Sequence, residues 1–317
     1  MPLPTFQDVQ RAAVLLTGIA HNTPIHTSRQ LNEISRATVF LKCENFQRVG
    51  AFKFRGAYNA VAHLQSDKPV IALSSGNHAQ GIALASQLLG KDAHIVMPEP
   101  INPVKRAAVQ GYGGIVHIPG NPQEAESFSQ DLARDVQGEW IEAFNDPHVI
   151  AGQGTAALEL LGQVNDLDVL LGPIGGGGLL SGTCLATHGV NPKIQVYACE
   201  PAGALDAMYS VKENRIVPQD NPQTIAEGLR TSVGTLTLPI LREHLAGFFV
   251  VEEQEIGKAM RFIYERMKLI IEPASAVAVA PLLRQEPDLQ NKRVGVIISG
   301  GNVDLSQYFN RLQGKPQ

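Results

Sequence analysis

The sequence holds little cysteine and never gathers it: Cys43, Cys184 and Cys199 lie far apart, with no CxxC among 317 residues. That excludes a disulfide framework and a thiolate zinc site, and it fits a reducing compartment in which all three serve as small buried hydrophobes. Long apolar runs are missing too, with none of the roughly 18 residues that a membrane-spanning helix needs. The opening "MPLPTFQDVQRAA" lacks the basic start and apolar core of a leader, so a soluble, cytoplasmic protein is expected. A net charge of −4 comes without any long run of one sign, which argues against nucleic acid or an anionic membrane as partner. Small molecules and copies of the chain itself are the partners left.

What the chain does have is alternation of short aliphatic or β-branched runs with longer amphipathic segments. Residues 38–44, 69–74, 93–98, 114–119, 167–173, 194–200 and 293–300 read as buried strands, apolar without strict alternation. Helical periodicity covers 6–16, 52–64, 77–89, 103–110, 123–136, 151–161, 179–186, 254–267 and 274–283. Continuous apolar strands separated by helices predict mostly parallel sheet covered on both faces, an α/β fold. No repeat or low-complexity linker marks a boundary; the polar, proline-containing 212–223 reads as an exposed loop. The strand-helix units within 68–145 are expected to form a small domain inserted into a larger one built from 1–67 and 146–317.

In open α/β sheets ligands sit beyond the carboxyl ends of the strands. Three strand ends run into "SSGN", "GGGG" and "SGGN". In "LLGPIGGGGLLSG" the four glycines Gly175, Gly176, Gly177 and Gly178 carry no Cβ, so successive backbone N–H groups can converge on an anion at a helix N-terminus. The register fits neither the dinucleotide GxGxxG, whose third glycine would fall on Ser181, nor the P-loop, whose lysine would fall on Thr183. A phosphate held without either device suits the handle of a cofactor such as pyridoxal 5'-phosphate, which also forms a Schiff base with lysine. A lysine suited to that is Lys53 in "GAFKFRGA", between Phe52 and Phe54. Flanking aromatics would desolvate its ammonium and lower its pKa, while Gly50 and Gly56 would let backbone approach the cofactor.

With Lys53 and the glycine loop in view, the chain resembles the fold-type II pyridoxal-phosphate enzymes of the serine/threonine dehydratase and serine racemase group, including 3-hydroxyaspartate dehydratases. The motifs "GAFKFRGA", "SSGNHAQG", "IAGQGT", "GPIGGGG", "ERMKLIIEPASA" and "SGGNVD" carry the resemblance over nearly the whole chain. It implies two domains with parallel open sheets, the cofactor between them, and a homodimer. It implies that Lys53 forms the Schiff base and later removes the substrate's α-proton, and that Ser75 can return a proton from the opposite face. Phe52, Asn77, Gly175, Gly176, Gly177, Gly178, Leu179 and Ser299 would hold the cofactor, with Asn77 at its 3'-oxygen and Ser299 at the ring nitrogen. Ser75, Gly76, Asn77 and His78 would hold the substrate carboxylate, and Ser232 would approach the substrate. Glu272 would lie near the ring, while Asn302 and Asp304 would fix the turn beyond Ser299. Glu200, the Ala204 carbonyl and Asp206 would bind a divalent cation; oxygen ligands suit Mg2+ or Ca2+, with Mn2+ a further choice.

The activity so implied is an ammonia-lyase that eliminates water from serine, threonine or 3-hydroxyaspartate to give a 2-oxo acid and ammonia. A hydroxyl at position 299 cannot hold the ring nitrogen protonated as a carboxylate would, which favours β-elimination. The alternative is a serine racemase with Lys53 and Ser75 as opposed bases, in the same protein or in place of the lyase. A 3-hydroxyaspartate would need a cation for its second carboxylate, for which Arg106, Arg230 and His78 stand as candidates. Because the chain ends soon after "SGGNVDLSQYFNRLQ", a separate regulatory domain is not expected.

Overall fold

A computed structural model describes residues 2–65, 67–101, 103–304 and 308–309. Ten strands form two sheets among them: β1 (Ile25–His26), β2 (Thr38–Cys43), β3 (Val70–Leu73), β4 (Ala93–Val96), β5 (Ile115–His117), β6 (Glu139–Trp140), β7 (Val169–Pro173), β8 (Gln195–Pro201), β9 (Leu245–Val251) and β10 (Arg293–Ile298). The larger sheet runs β1-β2-β10-β7-β8-β9 and the smaller β5-β4-β3-β6. Every pairing is parallel except β1 on β2. The apolar strands are buried on both faces as parallel sheet requires: β7 is buried at all five residues, and β10 at all but Arg293.

The differences from the expected elements have local causes. β1 and β6 are two residues each, too short to carry a period. β9 lies at the edge of the larger sheet, half-buried, and its register with β8 shifts at Ala246, between the paired Leu245 and Gly247. Helices Arg29–Ser35, Asp206–Glu213 and Thr237–His244 span only 7, 8 and 8 residues. The helix expected over 274–283 breaks into Pro273–Val277 and Ala280–Leu283, because Pro281 has no N–H with which to continue the ladder.

The strand orders place the site. In the larger sheet the chain moves outward from β7 to β8 to β9, whereas β10 returns to lie between β2 and β7. In the smaller sheet it moves from β3 to β4 to β5, whereas β6 returns to the other side of β3. Each sheet therefore has a switch point, β7/β10 in one and β3/β6 in the other, where loops diverge and leave a crevice at the carboxyl ends. The glycine loop follows β7, Ser299 follows β10, residues 74–78 follow β3 and Ala143 follows β6.

Candidate active site

Lys53 opens the helix Lys53–Ala62, and three contacts fix that opening. The Phe52 N–H donates to the Ser299 carbonyl at 2.9 Å, and Ala51 bridges Gly300, so the helix start is sewn to the end of β10. Two residues beyond Lys53, the fully buried Arg55 donates to Glu44 at 2.7 and 2.8 Å and to Glu159 at 2.7 and 2.9 Å. Burial opposes the Arg55 charge, but the two carboxylates outweigh it and raise its pKa. The Lys53 ammonium donates to the Ala143 carbonyl at 2.7 Å and lies 5.3 Å from the centre of the Phe52 ring. Burial lowers its pKa to about 8 against the pull of the Glu272 carboxylate, so at neutral pH a useful share of the amine is uncharged. Phe54 instead points into the core and packs on Tyr58, so Phe52 alone of the two aromatics meets the amine.

Two expectations about glycines need correction. A Cβ on Gly56 would lie 2.7 Å from the Val149 carbonyl, and one on Gly152 2.6 Å from the Gly56 Cα. Gly56 thus lets this helix close on helix Pro147–Gln163, not on a cofactor. Gly50, at φ +69°, is packed against the Asn302 side chain.

Beyond β3, helix Asn77–Leu88 begins without a side-chain cap, with Gly76 at the N-cap position. The hydroxyl of Ser74, not Ser75, accepts the Gly76 N–H at 3.2 Å. Asn77 is tied on both sides: its amide donates to the Glu272 carboxylate at 2.9 and 3.2 Å, and its carbonyl oxygen accepts from Asn302 at 2.9 Å. Glu272 is buried, which raises its pKa, while the Asn77 bonds pull the other way. His78 is buried, with Nε2 3.3 Å from the Ile141 carbonyl and Nδ1 without a partner. Burial and the Lys53 charge lower its pKa to about 3, which leaves the imidazole neutral.

Across the crevice, helix Gly178–Val190 also begins without a side-chain cap, on Gly177 at φ +87°. A Cβ on Gly176 would lie 2.3 Å from the Phe144 ring and one on Gly175 2.9 Å from the Leu229 Cα, so neighbouring residues leave the loop no room for side chains at these positions. Among the described residues, no hydrogen bond uses the N–H groups of Gly175, Gly176 or Gly177 as donors. Ser299 is buried, its Oγ 3.0 Å from the Ser275 Oγ, and Ser275 also bonds the Gly300 carbonyl and N–H.

These loops enclose one cavity of about 400 Å³, lined by Phe52, Lys53, residues 75–78, the four glycines, Leu179, Glu272, Ser299 and Asn302. It brings together a lysine of lowered pKa, two uncapped helix starts and the buried Ser299, whose hydroxyl is held from behind by Ser275. The family model for "Pyridoxal-phosphate dependent enzyme" matches residues 16–300. The chain belongs to the pyridoxal-phosphate dependent enzymes. It is 43% identical to the L-threo-3-hydroxyaspartate ammonia-lyase of Saccharomyces cerevisiae, over 99% of this chain and 98% of the relative. It is 44% identical to the serine racemase of Dictyostelium discoideum, over 95% of this chain and 96% of that one. The processed form of threonine deaminase isoform 2 from Solanum lycopersicum superposes with a TM-score of 0.92 at 32% identity, covering 98% of this chain and 95% of that one.

The residues present suit the cofactor of a pyridoxal-phosphate dependent enzyme. The glycine N–H groups without acceptors offer donors to a phosphate at the helix start, the Lys53 amine is available to an aldehyde, and a hydroxyl stands at the end of β10.

Other expected residues stand elsewhere. The Ser232 hydroxyl accepts the Gln219 N–H at 2.7 Å and does not line the cavity; its neighbour Thr231 does. Arg106 is exposed and outside the lining, and the Arg230 guanidinium turns to the Thr224 carbonyl. Glu200 and Asp206 lie apart from the cavity, at the end of β8 and the start of helix Asp206–Glu213. The Glu200 carboxylate accepts the N–H groups of Ala207 and Met208 at 2.8 and 3.0 Å, and Asp206 Oδ2 is buried without a partner. Burial pushes Glu200 up to about 8, with Asp206 adding to the rise, and Asp206 up to about 6.

Proposed function

We propose that this chain is an ammonia-lyase that removes water from a β-hydroxy-α-amino acid and releases a 2-oxo acid and ammonia. The observation that carries the reading is the Lys53 amine, its pKa lowered to about 8, in one cavity with the uncapped helix start at residues 75–78 and the hydroxyl of Ser299. Lys53 would hold the cofactor's carbon, the glycine loop with Leu179 its phosphate, Asn77 and Ser299 opposite edges of its ring, and Phe52 the side near the lysine. When bound, pyridoxal phosphate supplies an electron sink that acidifies the α-carbon of an attached amino acid.

The substrate carboxylate docks on the backbone N–H groups of Ser75, Asn77 and His78, beside Gly76, where a helix start favours an anion. His78, neutral and buried, excludes water there without adding charge. The Lys53 amine, freed once the substrate's own amine takes its place on the cofactor, takes the α-proton, and the ammonium so formed can return that proton to the β-hydroxyl, which departs as water. A second water then hydrolyses the enamine product, so the net yield is one 2-oxo acid and one ammonia. Ser299, held by Ser275, offers the ring edge a neutral hydroxyl and no carboxylate, which favours loss of the β-group over prolonged storage of charge. The names of the relatives, 3-hydroxyaspartate ammonia-lyase and threonine deaminase among them, support this substrate class.

A divalent cation completes the account, held by Glu200, Asp206 and the Ala204 carbonyl. Two buried carboxyls, both with raised pKa, and the partnerless Asp206 Oδ2 favour it, and oxygen ligands point to Mg2+ or Ca2+. The Ile174 N–H donates to the Cys199 carbonyl, next to Glu200, so the cation would stiffen the strand end that carries the glycine loop. The working protein is taken as a cytoplasmic homodimer in which residues 68–145 close on the remainder.

A second reading, amino-acid racemisation, is favoured by Ser75, which shares the cavity with Lys53 and is not spent on capping the helix. One panel tests both: holoenzyme with L- and D-serine, L-threonine and the 3-hydroxyaspartate isomers, with and without Mg2+, reading 2-oxo acid, ammonia and enantiomer exchange. Production of 2-oxo acid and ammonia in equal amounts is expected. Exchange without elimination would replace the lyase by the racemase, and neither would overturn both.

A further inference from the structure

We infer that Lys105 reads the second carboxylate of a dicarboxylic substrate and so sets the enzyme's preference for 3-hydroxyaspartate over serine or threonine. This rests on the lyase reading above. Besides Lys53, which the chemistry occupies, Lys105 is the one lysine or arginine among the described residues that line the cavity. The other candidates are removed by their positions: Arg106 is exposed outside the lining, Arg230 is bound to the Thr224 carbonyl, and His78 is neutral.

Lys105 sits on helix Pro103–Gly111, which belongs to the chain between β4 and β5 of the smaller sheet. Its ammonium donates to the Glu227 carboxylate at 2.7 Å. Glu227 opens the turn Glu227–Leu229, and that turn packs against the glycine loop, since a Cβ on Gly175 would meet the Leu229 Cα at 2.9 Å. The ion pair thus spans the cavity from one sheet's elements to the other's. The Lys105 side chain is only 19% exposed, so its charge is poorly screened, and both members of the pair act electrostatically on Glu272. An ammonium carries three N–H donors and can hold Glu227 and a substrate carboxylate together. Serine and threonine have no second carboxylate to pair with it.

The test compares two unreactive ligands, 2-methylaspartate and 2-methylserine, which carry no α-proton to lose. Binding to holoenzyme is followed by the change in cofactor absorbance, in the unaltered protein and in Lys105→Gln and Lys105→Arg. Loss of a charge-assisted hydrogen bond should weaken 2-methylaspartate relative to 2-methylserine by about 10- to 100-fold in Lys105→Gln. Lys105→Arg should recover part of that loss. Retained absorbance and an unchanged melting temperature establish that the variants are folded and loaded. A ratio of affinities that stays within about twofold, or failure of the unaltered protein to prefer 2-methylaspartate, overturns the inference. Failure of the lyase reading looks different: no 2-oxo acid from any hydroxy amino acid, whatever the two ligands do. The ratio shift would then still assign Lys105 to carboxylate recognition.

Discussion

Replacing Arg55 by Met should destabilise the holoenzyme by about 3–5 kcal/mol, because it strands a buried carboxylate. Arg55 and Glu44 both have no exposed side-chain surface, and their two hydrogen bonds are 2.7 and 2.8 Å long. Glu159 would keep Lys42 at 2.7 Å, whereas Glu44 would keep the Thr23 hydroxyl at 2.6 Å but lose the cation bonded to it. The cost is therefore dominated by one uncompensated charge, not by lost packing, since methionine fills most of the volume. With an unfolding entropy of about 2.1 cal/mol/K per residue, 317 residues give about 0.7 kcal/mol/K, and the melting temperature should fall by about 4 to 8 °C. Thermal melts of the loaded enzyme at fixed protein and cofactor concentration measure it. The Arg55→Met, Glu44→Gln double variant should recover about 1 kcal/mol or more of the summed single costs. A melting temperature within about 1 °C of the unaltered protein, or strictly additive single and double variants, would refute the reasoning. Because Arg55 lies in the first turn of the helix that Lys53 opens, the destabilised protein should also lose cofactor faster.

Capture of pyridoxal phosphate by the apoprotein requires the uncharged Lys53 amine, so its rate should rise with pH and level off above about 8; continued rise toward the ordinary 10.5 would show the amine to be solvated. Mg2+ or Ca2+ at about a hundred times its dissociation constant should stabilise the protein by about 2.7 kcal/mol, or about 4 °C in melting temperature. Asp206→Asn should remove most of that shift, and an equal shift in the variant would place the cation elsewhere.

Much of the site was legible because its parts are contiguous. Residues 74–78, the glycine loop and residues 299–302 each follow a strand directly, where a parallel sheet puts its ligands, and the structure brings them into one cavity. What could not be read depends on contacts across the chain. Lys105 is 122 residues from Glu227, and nothing in "PVKRAAVQ" distinguishes it from its exposed neighbour Arg106. The Arg55 cluster joins residues 11 and 104 apart, and its members look like ordinary charged positions in sequence. Ser232 and Thr231 show the same limit at its smallest scale: adjacent hydroxyl residues, of which only Thr231 lines the cavity. Gly56 carried a different ambiguity, since a glycine needed for helix contact and one needed for a cofactor leave the same mark.

The central claim is that Lys53 is the group that holds the cofactor and moves the α-proton. Borohydride reduction of the holoenzyme, followed by digestion and mass analysis, tests it most directly. The pyridoxyl mass is expected on the peptide that contains "GAFKFRGA", at Lys53, with none of it in Lys53→Ala. The same label on Lys105 or any other lysine of the unaltered protein would contradict it.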